Sequence, residues 1–374
     1  MPKRFDPTAL RRIVVKVGSS SIINEEGLVR LGFLGKLATT IGRWRRDGVE
    51  TVLVSSGAIA MGSLRIGRDE PPVRIQDKQA LASIGQSQLM GLYQRLLSTL
   101  GVPVGQVLLS RDDLEDRRRY LNARETLQRL LELGAVPIIN ENDSVAVDEI
   151  QFGDNDQLSA LVAGLVGADL LVLLTNVDGL YDSDPRENPD AKVIERLDRS
   201  LEEMLEITNG KPSAFGKGGM RSKLEAAQLC HNYGIHCVIA RGRGSVLQAV
   251  LAGRPTGTYV PPSERGLSGR ERWLANAALV AGELVLDDGA VEAMTMGHHS
   301  LLPSGIVRLT GDFARGAVIK LVDQRGKEIG RGVVRYGRPA LEKIIGKRGD
   351  EIEKTLGFTY GDRVIHRDNI VLTG

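Results

Sequence analysis

RRIVVKVG, residues 11–18, is a β-branched run that ends at glycine, and beyond it apolar residues recur at Leu31, Leu34, Leu37, Ile41 and Trp44. The first pattern reads as a strand, and the spacing of three and four reads as an amphipathic helix. The pair then repeats. ETVLVSSG (50–57) precedes a helical stretch over 76–100, VPVGQVLLS (102–110) one over 122–133, AVPIINEN (135–142) one over 155–166, and ADLLVLLT (168–175) one over 219–232, before IHCVIARG (235–242). Apolar strands that alternate with helices imply a mostly parallel sheet covered on both faces. The expected class is α/β.

The alternation stops near residue 255. GRPTGTYVPPSERGLSGRERW (253–273) is rich in glycine, proline and charge, as a surface connection is. Beyond it SGIVRLTG (304–311), AVIKLVD (317–323) and IGRGVVRYG (329–337) follow one another as short β-type runs, and only 339–356 reads as helical. The expected organisation is an α/β domain over 1–260, a linker over 261–280 and a small β-rich barrel or sandwich over 281–374. A chain of 374 residues exceeds the roughly 100–200 residues usual for one domain, which agrees with two.

Composition narrows the function classes. A net charge of +2 with 26% charged residues argues against a chain whose main task is to coat nucleic acid or an acidic membrane. Cys230 and Cys237 are the only cysteines, so neither a disulfide framework nor a zinc site is expected, and a reducing cytoplasm fits. The N-terminus has no apolar signal core, and the most apolar region, 158–174, is interrupted by Ser159, two glycines and Asp169; no membrane span is expected.

In open parallel sheets ligands bind beyond the carboxyl ends of the strands. Polar clusters fall there at Lys16 to Ser21, Ser55 to Gly57, Asn140 to Asp143, and Thr175 with Asn176. Lys16 is the most informative residue among them, because an unpaired ammonium inside a doubly covered strand costs several kcal/mol, about enough to remove its proton. Either an anion partners it, or it snorkels from an edge strand. Asp154, Asn155 and Asp156 open a helix, where capping by Asp154 with Gln157 accounts for part of the polarity but not for all three. Glu141, Asn142 and Asp143 read either as turn formers or as a grip on a ligand ammonium.

FGKGGMRSKLEAA (215–227) sets Gly216, Gly218 and Gly219 with Lys217, Arg221 and Lys223 at a helix start, a favourable place for an anion. Its spacing is not that of a Walker A loop. No H-E-x-x-H, G-x-S-x-G or H-R-D motif occurs, so a familiar hydrolytic constellation is unsupported. Phosphoryl transfer needs mainly positioning and neutralisation of charge. A carboxylate acceptor is already an anionic nucleophile and needs no general base. Lys16 and Lys223 would then offset the repulsion between two anions.

VVKVGSSSI, VSSGAIAMG, INENDSVAV, FGDNDQLSALVA, LLTNVDGLYDSDPR and GKGGMRSKLEAA follow one another in an order and spacing that resembles the amino acid kinase family, and the remaining third resembles a PUA domain. The resemblance runs from about residue 10 to the C-terminus. It implies an αβα sandwich with a mostly parallel central sheet, a small β-barrel PUA domain, and transfer of the γ-phosphoryl of ATP, with Mg²⁺, to the side-chain carboxylate of L-glutamate at the start of proline biosynthesis. It also implies a homo-oligomer, dimer or tetramer, and feedback inhibition by proline. Carried over by motif, Lys16 and Lys223 stabilise the transferring phosphoryl group and Asp156 orients them. Ser56, Asp143 and Asn155 bind glutamate, with Gly57 in the same site. Gly18 and Gly57 bring backbone close to the phosphoryl. Thr175, Asn176, Lys217, Gly218, Gly219, Met220, Arg221, Ser222 and Lys223, together with Lys16 and Gly18, bind ATP; no metal ligand is assigned. The chain differs from similar enzymes in having Asn176 after Thr175, Lys217 between its glycines, and Gln151.

Two alternatives stay open. One keeps the fold and changes the acceptor to another carboxylate or to carbamate. The other is RNA binding through the C-terminal domain, where Arg331, Arg335, Arg338, Lys343, Lys347 and Arg348 stand against one acid, Glu342.

Overall fold

The computed structural model describes residues 5–24, 26–68, 70–145, 155–183, 185, 188–197, 220–243, 245–254, 256–263, 267–277, 280–297 and 299–372. Two compact units emerge. One comprises Met1–Leu114 and Arg118–Leu267, and the other Ser268–Gly374 with Glu115–Arg117.

The first unit is built on strands β1 (Arg12–Val17), β2 (Glu50–Ser55), β3 (Val104–Leu109), β4 (Val136–Glu141), β5 (Leu170–Thr175), β6 (His236–Arg241) and β7 (Thr258–Val260). They hydrogen-bond in the order β3-β4-β2-β1-β5-β6-β7, parallel except where β7 runs against β6. The α/β expectation therefore holds, with a mostly parallel sheet. One local reading is corrected: Thr258–Val260, inside the glycine- and proline-rich stretch read as a connection, is an edge strand, because Cys237, Val238 and Ile239 offer it a free ladder.

β1 is internal, flanked by β2 and β5, and its residues divide between two faces as the period of a strand requires. Ile13, Val15 and Val17 join a core with Leu34, Leu37, Ile41 and Trp44 of α1 (Leu31–Arg46) and Leu89, Leu92 and Leu97 of α2 (Ile75–Ser98). Val14 and Lys16 take the opposite face. There α3 (Asn155–Val166) packs against β1, and all of its residues but Gln157 are buried. A helix that is apolar all round belongs inside. Against α3 lies α4 (Met220–Tyr233), whose buried stripe is Lys223, Leu224, Ala226, Ala227, Cys230 and Tyr233.

The second unit carries five strands, Val280–Leu286, Ile306–Gly311, Val318–Val322, Glu328–Val333 and Ile370–Leu372. The first pairs parallel with the third and antiparallel with the second. The expectation of a helix over 339–356 alone is corrected in two ways. Asp288–Gly297 is helical, and the 339–356 stretch is divided into Arg338–Ile344 and Ile352–Leu356 around Gly346, whose φ is +73°. Leu284, Leu286, Ile319, Leu321, Tyr336 and Leu341 are among its core residues.

Candidate active site

The carboxyl ends of β1, β2, β4 and β5 and the first turns of α3 and α4 gather the polar side chains. Lys16, in register with Val54 and Leu173, leaves β1 toward α3, and its Nζ lies 2.6 Å from Asp156 Oδ1. Lys223 reaches the other oxygen, Oδ2, at 2.9 Å, where Ser222 Oγ also donates at 3.2 Å. The side chains of Lys16, Lys223 and Asp156 are 6%, 9% and 0% exposed. Burial opposes ionisation of Asp156, but the two ammonium groups outweigh it and hold its carboxyl down at about 2. Of the two readings of Lys16, an edge-strand snorkel is excluded by the internal place of β1, and its partner is a carboxylate.

Beside this trio stands an amide cluster. Asn155 Nδ2 donates to Ser56 Oγ at 2.8 Å and to Asn140 Oδ1 at 2.9 Å. Asn140 Nδ2 donates to Gln86 Oε1 at 3.0 Å, and the Glu141 backbone N–H donates to Asn140 Oδ1 at 2.9 Å. Asp143, just past the end of β4, is half-buried; loss of solvent, then the nearby Glu141 charge, pushes its carboxyl up to about 6. Below these groups Ser55 and Tyr93 share a buried hydrogen bond at 2.9 Å, and burial pushes the Tyr93 hydroxyl up to about 12.

Two glycines shape the floor. Gly57 has φ +101° at the start of the helix Ala58–Ile66, a conformation that L side chains rarely adopt, and a Cβ there would stand 3.1 Å from Ile22 Cδ1. Gly18 has an ordinary φ of −74°; a Cβ on it would enter the space 3.8 Å from Lys16 Nζ, so its lack of a side chain leaves the ammonium approachable.

On the other flank, Thr175 ends β5 buried, with its hydroxyl 3.3 Å from Oδ1 of the exposed Asn176. Arg241 is its register partner on β6, and Arg241 and Arg243 both reach Asp178 Oδ1, at 3.1 and 3.2 Å. Met220 and Arg221 open α4, where Arg221 is exposed and pairs with Glu225 at 2.9 Å. Lys217, Gly218 and Gly219 lie outside the described residues, as do Gln151 and Asp154.

The structure thus brings Lys16, Lys223, Asp156 and Ser222 into direct contact, and Ser56 and Asn155 into a second contact set next to it. Gln86, Tyr93 and Arg241 escaped sequence reasoning, and Asp178 was quoted only within LLTNVDGLYDSDPR, with no role of its own. Asp178 and Arg241 had a signal, their place at or just past the carboxyl end of an apolar strand.

The model of the amino acid kinase family matches residues 11–241, and the PUA domain model matches residues 282–356. Similar curated proteins include the glutamate 5-kinase of Gloeobacter violaceus, 48% identical over 364 residues that cover 96% of this chain and 98% of that one. The glutamate 5-kinase of a Cyanothece species is 46% identical, covering 96% and 99%, and that of Caldanaerobacter subterraneus 45%, covering 96% and 97%.

Proposed function

Because this chain belongs to the amino acid kinase family, we propose that it acts as its glutamate 5-kinase relatives are named to act, moving the γ-phosphoryl group of ATP to the side-chain carboxylate of L-glutamate. One observation carries the reading: two buried ammonium groups, Lys16 and Lys223, converge on the two oxygens of one buried carboxylate, Asp156, at the carboxyl end of the sheet. A buried ion cluster is a poor way to stabilise a fold, so a functional reason for it is favoured.

Transfer between ATP and a carboxylate brings two anions together. Lys16 and Lys223 offset that repulsion, and their charge counts most when the moving phosphoryl lies between donor and acceptor. Asp156 holds both ammonium groups in place and aims them. The glutamate carboxylate is the nucleophile, so no residue has to remove a proton. Asp143 takes the substrate ammonium, and Ser56, Gly57 and Asn155 hold the amino acid. Gly18, Thr175, Asn176 and the segment from Lys217 to Lys223 receive the nucleotide.

Mg²⁺ belongs to this proposal as the companion of ATP, since that ion is usually bound through one or two carboxylates and the substrate phosphates. No group of three or more His, Cys, Asp or Glu side chains suited to a metal occurs among the described residues, and no residue here is assigned to it. Assembly into a homo-oligomer and inhibition by proline also belong to the proposal and rest on the family resemblance, whereas the domain limits 1–260, 261–280 and 281–374 rest on the end of the strand–helix alternation and the glycine- and proline-rich stretch after it, and RNA binding by the C-terminal unit on its basic residues between Arg331 and Arg348. A cytoplasmic location rests on the family resemblance too, and on the free thiols of Cys230 and Cys237. Among the described residues no helix is long and apolar enough to cross a membrane.

ADP release measured with L-glutamate, L-aspartate, N-acetyl-L-glutamate, uridylate and carbamate tests the reading. The highest kcat/KM is expected with L-glutamate. A higher value with another acceptor would replace the substrate, and no acceptor-dependent release would remove the activity.

A further inference from the structure

We propose that Gln86 is a positioning residue of the amino acid site: acting through Asn140, it holds the Asn155 amide so that its carbonyl oxygen, and not its NH₂, is left for the substrate to engage, and so selects an acid that carries an ammonium group. The inference rests on the glutamate reading above and names the basis of its selectivity.

The direction of every hydrogen bond in the cluster follows from one backbone group. The Glu141 N–H has only a proton to give, and it gives it to Asn140 Oδ1 at 2.9 Å. That contact fixes which end of the Asn140 amide is oxygen, so its Nδ2 must be the atom that meets Gln86 Oε1 at 3.0 Å. Asn155 approaches the same Asn140 Oδ1 at 2.9 Å and Ser56 Oγ at 2.8 Å, and only its nitrogen can satisfy both. Its own oxygen therefore points elsewhere. Asn155 Oδ1 is buried and meets no donor among the described residues. An acceptor left in that condition costs free energy that a donor on the ligand would recover. An ammonium group is all donor and no acceptor, and it suits this oxygen as it suits a carboxylate such as that of Asp143.

Gln86 matters because Asn140 is only 2% exposed and has no solvent to turn to. Without Gln86 Oε1 the Asn140 Nδ2 loses its acceptor, the amide shifts to recover one, and Asn155 is released to rotate its NH₂ toward the ammonium. Gln86 is held in place by its neighbour: a side chain on Gly85 would overlap the Ala58 carbonyl oxygen, so α2 lies directly against the helix that follows Gly57.

The test uses full-length protein and compares wild type with Gln86→Leu and Gln86→Glu, using L-glutamate and glutarate, which lacks the amino group, as acceptors. In Gln86→Leu the KM for L-glutamate is expected to rise about tenfold and the preference for L-glutamate over glutarate to fall about tenfold, with kcat and the KM for ATP within about twofold. Gln86→Glu, which keeps an oxygen for Asn140 Nδ2, is expected to retain most of the preference. An unchanged preference in Gln86→Leu, a joint loss of kcat and ATP affinity, or equal impairment in Gln86→Glu would each overturn the proposal. Should Gln86→Leu fail to fold, Gln86→Met, of similar length and without the acceptor, gives the same readouts. Wild-type protein that releases no ADP with L-glutamate would overturn the glutamate reading and this proposal with it, and that failure is seen before any variant is made.

Discussion

Lys16 and Asp156 meet at 2.6 Å with 6% of the lysine side chain and none of the aspartate's exposed. Lys223 completes the arrangement from a different helix. Replacing Asp156 by Asn leaves two ammonium groups facing each other across a neutral amide in a dry site. Removing one partner of a buried ion pair costs about 3–5 kcal/mol, and a loss of that size is expected for Asp156→Asn in urea unfolding at neutral pH. A stability within about 0.5 kcal/mol of wild type, the range usual for surface substitutions, would show that the two lysines do not depend on this carboxylate.

Lys223→Ala separates chemistry from binding. In the proposed reaction the charge of Lys223 is worth most when the phosphoryl is in transit, so kcat is expected to fall by about 10²–10³ while the KM for L-glutamate stays within a few fold. Steady-state ADP release against glutamate concentration at saturating ATP measures both. An unchanged kcat would take Lys223 out of the reaction and leave it a structural cation.

The two aspartates respond oppositely to pH. Asp143 titrates near 6 in the fold, above its ordinary 3.8, so between those values the native protein holds a proton there that the unfolded chain has released. Its contribution to stability is present on the acid side and falls as pH rises through that window. Asp156 titrates near 2, below 3.8, so its contribution is present above 3.8 and is lost as pH falls toward 2. In the proposed role of Asp143, binding of the substrate ammonium needs its carboxyl ionised. The kcat/KM for L-glutamate is therefore expected to decline below about pH 6, with an apparent pKa near the value of Asp143. In Asp143→Asn that limb should vanish from a much lower profile. Its persistence would assign it to another group.

Much of this site was legible because its residues break a local pattern. Lys16 interrupts an otherwise apolar strand, and Lys223 leads the buried face of α4, so each cation sits where only a partner makes it tolerable. Asn155 and Asp156 open a helix that is buried along its length, and its apolar sequence gave its limits directly. Gln86 breaks nothing. A glutamine on a long amphipathic helix looks like any solvated polar residue, and its contact with Asn140 exists only after β4 and α2 have packed. The helix Asp288–Gly297 was missed because it is short: its inner face is Ala290, Val291 and Met294, of which only Met294, at 2% exposure, is fully buried.

The close approach of Gly85 to Ala58 yields a last expectation. A methyl group at Gly85 would overlap the Ala58 carbonyl oxygen and stand 2.5 Å from Gly62 N, both of them backbone atoms that cannot rotate away. The helices Ala58–Ile66 and Ile75–Ser98 must then separate, and overpacking of that kind costs about 1–3 kcal/mol. Gly85→Ala is expected to lower Tm accordingly. Because Ser56 and Gly57 lead into one helix and Gln86 rides on the other, the same shift should raise the KM for L-glutamate while leaving the KM for ATP unchanged, since Thr175 and α4 belong to neither helix. Calorimetry with the two KM values decides it: equal losses for both substrates would mean that the strain spreads through the whole unit instead of staying on the amino acid side.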